Sequence, residues 1–411
     1  MAFTFTTFLR REAPWLGAGA LMTFASSFGQ THFISIYAGV WREEFALSHG
    51  EWGAIYMVAT LASAAFLTQA GRLADVIPAR RLALGVLFLF AGVSLGVAVA
   101  PGWLALGALV FGLRFCGQGM MTHIAITSMG KWYRAQRARA VAVASLGIAG
   151  GEAILPAAGL AAIAFLGWRG SWLLIAAIIV LLFAPALFFL LRRDRTPLSV
   201  AEAGHSPGME GRHWTRRDMA RHWLFWALIP GIVAPSWIGT VIFFQTVHLA
   251  EVKGWDLVAY TGLAFPAFSA TTVGASFLIG WAVDRFDALR LLPVYLLGWG
   301  LGSILLGLAD GLSAGVAAMA VAGLSSGGGS VVMGALFAEL YGARWLGSIR
   351  AIIAAIVVFA SALGPGASGA LLDAGVGIET QCLAMGMYLL AICLWFALVS
   401  HRARSLKAAR A

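Results

Sequence analysis

The sequence predicts an all-α membrane protein, with twelve transmembrane helices in two pseudo-symmetric six-helix bundles. Three observations carry this. Of 411 residues 60% are hydrophobic and only 11% charged, whereas a soluble domain carries roughly 25% charged residues; so few charges cannot cover a water-facing surface. Apolar runs recur at about the 20 residues that a helix needs to cross a bilayer core. Threaded as alternating passes, those runs place all but four of the 28 Lys and Arg residues on one side.

The runs fall at 13–40, 51–70, 81–100, 103–128, 141–166, 170–191, 223–249, 257–281, 288–309, 312–338, 345–372 and 378–400. Short turns separate most of them. The polar stretch 192–222 divides six from six, giving an N-terminal bundle 1–191, a central cytoplasmic loop 192–222 and a C-terminal bundle 223–411 with a short tail. The first run follows Arg10 and Arg11, but it is too long for a signal peptide and contains Gln30, Thr31 and His32. It is expected to be an uncleaved first helix.

With the N-terminus in the cytoplasm, the basic clusters at 72–81, 131–139, 192–195, 212–221, 285–290, 344–350 and 402–410 are cytoplasmic. They include Arg134, Arg195 and Arg410. Arg42, Arg169 and Lys253 fall outside, and Arg114 lies within a run. Cytoplasmic loops of membrane proteins carry this excess of basic residues, and a shift of one helix destroys the pattern. Both termini are therefore expected in the cytoplasm, and the net charge of +10 needs no nucleic acid to explain it. The short loops favour a bacterial inner membrane. Cys116, Cys382 and Cys393 all sit inside apolar runs, with neither metal-ligand nor disulfide spacing.

Two turns resemble each other. The turn after the second run reads Gly71-Arg72-Leu73-Ala74-Asp75-Val76-Ile77-Pro78-Ala79-Arg80-Arg81; the one after the eighth begins at Gly280 and has Asp284 and Arg285 at matching places, ending at Arg290. The first resembles the major facilitator superfamily signature G-x-L-a-D-r-x-G-r-[RK], with Pro78 and Ala79 at the second glycine and first basic positions. Arg114, Gln118 and Gly119 are similar to the superfamily's fourth-helix signature. Of its exchanger-type fifth-helix run only Pro156 and Gly159 fit. The resemblance covers the whole chain and implies alternating access between two halves. It also implies a gate in which Asp75 bears on the start of the eleventh helix, near Gly347 and Arg350, with Gly71, Arg80, Arg81 and Asp284 in the two motif turns. The same resemblance implies that helices 1, 4, 7 and 10 line a central cavity.

Charges within the bilayer cost roughly 2.5–3.5 kcal/mol each at its centre, so they mark function. Arg114 and Glu152 are the two that qualify, each about 16 Å from its own surface at 1.5 Å per residue. They lie near the midplane on consecutive antiparallel helices, within reach of an ion pair. Three readings stand. A proton on Glu152 frees Arg114 for an anionic substrate; Glu152 only holds Arg114, which binds substrate; or the pair is structural.

His32, His123 and His248 join the candidates, because histidine titrates near neutral pH. Their spacing gives no metal site. Ser27, Gln30 and Thr31 share a face if the first helix is regular. In the seventh run, Pro230, Gly231 and Pro235 predict a broken or kinked helix lining a cavity, with Phe243, Phe244 and Gln245 near it. Gly323-Leu324-Ser325-Ser326-Gly327 matches a hydrolase string, but it lies in a Gly/Ser-rich helix without the strand that a nucleophile elbow needs.

These features exclude an enzyme with a zinc-protease motif or catalytic triad, and ATP-driven transport, for which there is no phosphate-binding loop. A sensor is disfavoured for want of a long polar segment. What remains is a secondary transporter, expected to work as a monomer without a cofactor. Its expected cargo is a small organic anion taken up with a proton. The alternatives are a flat heteroaromatic nutrient such as a riboflavin-type vitamin, and drug efflux.

Overall fold

A computed structural model describes residues 5–133, 136–193, 208–342 and 344–408. Arg134, Arg195 and Arg410 lie outside the described residues, as does 194–207 of the central stretch. Every regular element among the described residues is helical. Nine helices there are long and apolar enough to cross a membrane. One of them, Arg137–Leu190, is 54 residues long and turns at Gly167, whose φ of 68° favours glycine. It is two passes. With the interrupted first pass and the short Leu297–Leu308, the passes among the described residues number twelve.

We label them in order. α1 starts as Phe5–Ser26 and continues through short turns to Ala38–Glu44. α2 is His49–Ala70 and α3 is Ala79–Ala98; α4 runs Trp103–Arg114, Phe115–Met121 and Thr122–Trp132. α5 and α6 are the parts of 137–190 before and after Gly167. α7 is Trp223–Phe244 with Thr246–Lys253, α8 is Leu257–Phe286 and α9 is Leu297–Leu308. α10, α11 and α12 are Leu312–Tyr341, Leu346–Asp373 and Ile378–Ala408. The chain divides into two compact units, Met1–Val200 and Ala201–Ala411.

In the first unit, α5 lies against α1 on small residues. A Cβ on Gly147 would strike the Ala20 carbonyl, one on Gly151 the Ser27 side chain, and one on Gly159 Phe33 and Ile36. Small residues let backbones approach where lipid offers no hydrophobic drive for helix pairing. Thr23 Oγ1 also donates to the Ala144 carbonyl at 2.5 Å. At the far end of α1, Tyr37 and Trp41 stack at 5.1 Å, and Trp172 of α6 packs on both.

In the second unit, Gly323 and Gly327 of α10 press on the Phe268 and Thr272 carbonyls of α8. The hydrolase-like string is thus a close-packing surface. Segment 208–222 docks on this unit: Trp214 N donates to the Tyr341 carbonyl at 3.1 Å, and Met219 is fully buried. A reciprocal cap between Thr215 and Asp218 starts its short helix Arg216–Arg221.

The prolines do not interrupt α7, which stays helical to Phe244. Pro235 cannot donate to the Gly231 carbonyl, and the buried Tyr295 hydroxyl does so instead at 2.6 Å. The helix breaks later, at Gln245.

The units carry matching clamps at one end. In the first, Arg169 of α6 meets Glu44 of α1 at 3.0 Å and donates to the carbonyls of Ala98 and Ala100 at the end of α3. In the second, Lys253 of α7 meets Glu379 of α12 at 2.5 Å and donates to Gly307 of α9. Acid and base have exchanged helices, but each cation still serves carbonyls at a helix C-terminus.

Candidate functional site

The candidate site forms where α1 breaks. Ser27–Gly29 is a 3₁₀ turn, Gln30 is extended with φ −86° and ψ 159°, and Thr31–Ile34 restarts the helix. The regular helix that would align Ser27, Gln30 and Thr31 on one face is absent. A break frees backbone carbonyls, which must find donors away from water. Arg114 supplies one: Nη1 donates to the Gly29 carbonyl at 3.2 Å and to Thr31 Oγ1 at 3.3 Å. Thr31 Oγ1 lies 2.7 Å from the Tyr56 hydroxyl of α2, and the guanidinium sits 5.0 Å from the Tyr56 ring centroid.

Two glycines make this reach possible. A Cβ on Gly29 would meet the Gly117 Cα at 2.8 Å, and one on Gly117 would meet the Gly29 Cα at 2.7 Å. α1 and α4 therefore touch backbone to backbone, beside a π-helical segment, Phe115–Met121, which starts just after Arg114. Such segments widen a helix by one residue per turn and recur at functional sites.

Arg114 is 1% exposed. Its Nε and Nη2, and the Ser27 hydroxyl at the same break, are buried without a hydrogen-bond partner among the described residues. Most buried polar atoms in proteins have a partner, so each exception calls for an explanation.

Glu152 enters from α5, one residue past the Gly151 that packs on Ser27. Its carboxylate lies 3.7 Å from His32 Nδ1, and the two side chains are 13% and 7% exposed. That distance exceeds a hydrogen bond, and it is an ion pair only when the imidazole is protonated. Arg114 and Glu152 thus both attend the break, but Glu152 stands beside His32, and the hydrogen bonds of Arg114 go to Gly29 and Thr31.

The other sequence candidates have contacts of their own. His123 Nε2 is 3.1 Å from the Gly71 carbonyl at the end of α2. Asp75 is held by Lys131 at 2.7 Å, and Lys131 also donates to Ala74. Arg80 lies 3.9 Å over the Phe188 ring, and Arg81 is exposed. Asp284 is exposed, while Asp287 with φ 64° caps the turn after α8. Arg350 donates to the Gly334 carbonyl at 2.6 Å.

At the α7 break, Gln245 donates to Ser368, whose hydroxyl donates to Gln381 at 2.6 Å. Phe244 is buried there, and His248 lies 3.8 Å from Glu251. Sequence reasoning missed Tyr56 and Lys131. Both were in view as polar side chains on passes 2 and 4, which run in the same direction and bring Tyr56 to Arg114 and Lys131 to Asp75.

The sequence profile described as Major Facilitator Superfamily matches residues 19–265. Two solved structures share the fold, both of a bacterial homolog to the human lysosomal transporter Spinster. The inward-facing, unoccupied form matches with TM-score 0.74 and 16% identity over 95% of this chain and 97% of that one. The inward-facing, occupied form gives 0.72 and 16% over 94% and 96%. Among curated proteins, none matches the sequence. The profile spans more than half the chain, and the helical passes agree with it: this protein belongs to the Major Facilitator Superfamily, and is a multi-pass membrane transporter of a small-molecule solute.

Proposed function

We propose that this transporter takes up a small organic anion together with a proton, binding the anion at Arg114 and the proton at Glu152. The observation that carries the reading is the guanidinium of Arg114. Its Nη1 is engaged by Gly29 and Thr31, while Nε and Nη2 form the edge that matches a carboxylate with two parallel hydrogen bonds. The unpartnered Ser27 hydroxyl adds a further donor at the same break.

Charge neutrality gives the coupling. With His32 neutral, Arg114 and an ionised Glu152 sum to zero in the empty site. A bound monoanion leaves one negative charge, and one proton on Glu152 restores neutrality. A buried uncompensated charge is costly, so the loaded state favours one proton per anion. The domain division is 1–191, 192–222 and 223–411, with both termini in the cytoplasm of a bacterial inner membrane. Asp75, held by Lys131 beside Gly71, with Arg80 and Arg81 after it, marks the gating turn.

The aromatic-cavity alternative has less support. Phe33 and Tyr37 pack on Trp172, and Phe243 packs on Phe265 and Phe268.

A thermal-shift screen of the detergent-solubilised protein tests the reading, since a ligand that binds the folded state raises its melting temperature. The library holds monocarboxylates, dicarboxylates, amino acids, nucleobases and vitamins at two pH values. The expected hit is a carboxylate that strengthens at low pH and is lost in Arg114→Lys. A heteroaromatic hit indifferent to pH and retained in Arg114→Lys would refute it.

A further inference from the structure

The geometry points to His32 as the residue that holds the coupling proton on Glu152. This rests on the proton-coupled reading for the presence of a proton at Glu152; the role of His32 comes from the break in α1.

Gln30 turns the chain out of helical geometry, and the short helix that follows carries His32 toward α5. There Nδ1 stands 3.7 Å from Glu152 Oε1, both side chains being nearly buried. His32 is 5% exposed. Among the titratable groups around it, α5 brings Glu152 and α4 brings Arg114, with Cys116 two residues on. α2 brings Tyr56, which meets Thr31, and α1 itself brings Tyr37. α6 contributes aromatic rings, Trp172 and Phe183, on Phe33 and Phe28. Tyr37 is engaged by Ser171 at 3.0 Å, and Arg114 can only donate. Imidazole Nδ1 is the base placed 3.7 Å from the carboxyl oxygen.

The step is simple. A hydronium ion gives its proton to Glu152 Oε1: its O–H bond breaks to leave water as the carboxyl O–H forms. That O–H donates to His32 Nδ1, the imidazole keeping its proton on Nε2. Oxygen and nitrogen close from 3.7 Å to a hydrogen bond of about 2.8 Å. No other bond forms or breaks, and the pair gains one positive charge. His32 is a positioning residue: it stabilises the protonated carboxyl group in a place where Arg114 favours the ionised one. It thereby sets the pH at which the site loads.

The test is an infrared titration of the full chain in lipid vesicles, without any transported solute. The protonated-carboxyl band of Glu152 is identified by its loss in Glu152→Gln. In His32→Gln and His32→Asn that band should titrate at least one pH unit lower, about a tenfold loss of proton affinity. An unchanged or higher midpoint in both variants overturns the role of His32. If neither variant folds, the unmutated protein with ring-labelled histidine serves instead. There, formation of the carboxylic acid should perturb the labelled imidazole at the same midpoint, and a ring indifferent to that event overturns the proposal. A Glu152 carboxyl band absent at every pH sinks the proton-coupled reading and this inference together. A Glu152 band blind to His32 sinks this inference alone.

Discussion

The two halves open their first helices in similar ways and fill the openings differently. α1 breaks at Gln30 and α7 at Gln245. Around Gln30 stand Arg114, His32 and Glu152, held through Gly29, Thr31 and Tyr56. Around Gln245 stands a neutral chain, from Gln245 to Ser368 to Gln381, ending on the Val376 carbonyl. Among the described residues, the Arg and His residues that are buried are Arg114 and His32, both in the first half. One scaffold thus does two jobs. Backbone groups freed at a helix break need partners in either half; only in the first does that partner carry a charge, and so only there can a proton or an anion change the balance. The clamps teach the converse, since exchanging the signs between helices leaves the connection intact.

The largest expected effect breaks the first opening. Gly117→Val puts a branched side chain into the Gly29 backbone and should cost about 3 kcal/mol or more. Gly274, which has open space around it, should take alanine with little change. Melting curves of the two variants measure this. Arg114→Met should lose function and stability together. Carboxylate binding should vanish, and loss of the donor that serves the Gly29 carbonyl should cost about 1–3 kcal/mol. Ligand-free melting temperatures alongside binding curves check both parts.

The clamps should differ from each other. Glu379→Ala strands Lys253, whose side chain is 7% exposed, whereas Glu44→Ala releases Arg169, which is 40% exposed. An exposed pair is worth about 0.2–1 kcal/mol, so Glu44→Ala should stay within that range and Glu379→Ala should exceed it. Equal losses in chemical denaturation would contradict this account of the clamps.

The smallest effect lies in the docked segment. Hydrogen bonds from Thr215 hold the Asp218 carboxyl below its ordinary value of 3.8. The native state therefore favours the carboxylate. Its stabilisation is complete above 3.8 and is lost as pH falls through the lower native value. Asp218→Asn should lower the melting temperature slightly at neutral pH and make no difference in strong acid.

Much of the fold was legible because spanning a bilayer constrains sequence more than folding in water does. Runs of apolar residues announce the helices, and the basic clusters order them. Where tertiary partners decide, the sequence is silent. Pro230 and Pro235 read as a break or kink in α7, whereas the donor that replaces the missing N–H is Tyr295, sixty residues on in the turn before α9. Arg114 and Glu152 stood out as charges in apolar runs. Their contacts did not, because those depend on the extended Gln30, which turns His32 toward α5 and exposes the Gly29 carbonyl to Arg114. Tyr56 carried no signal beyond its polarity.

The central claim, that recognition of the solute's charge belongs to the first half, is tested most directly by one matched pair of variants. Carboxylate-induced thermal shifts are measured in the unmutated protein, in Arg114→Met and in Gln245→Leu. The account predicts a shift that disappears in Arg114→Met and persists in Gln245→Leu. A shift that survives in Arg114→Met, or is lost in Gln245→Leu alone, would contradict it.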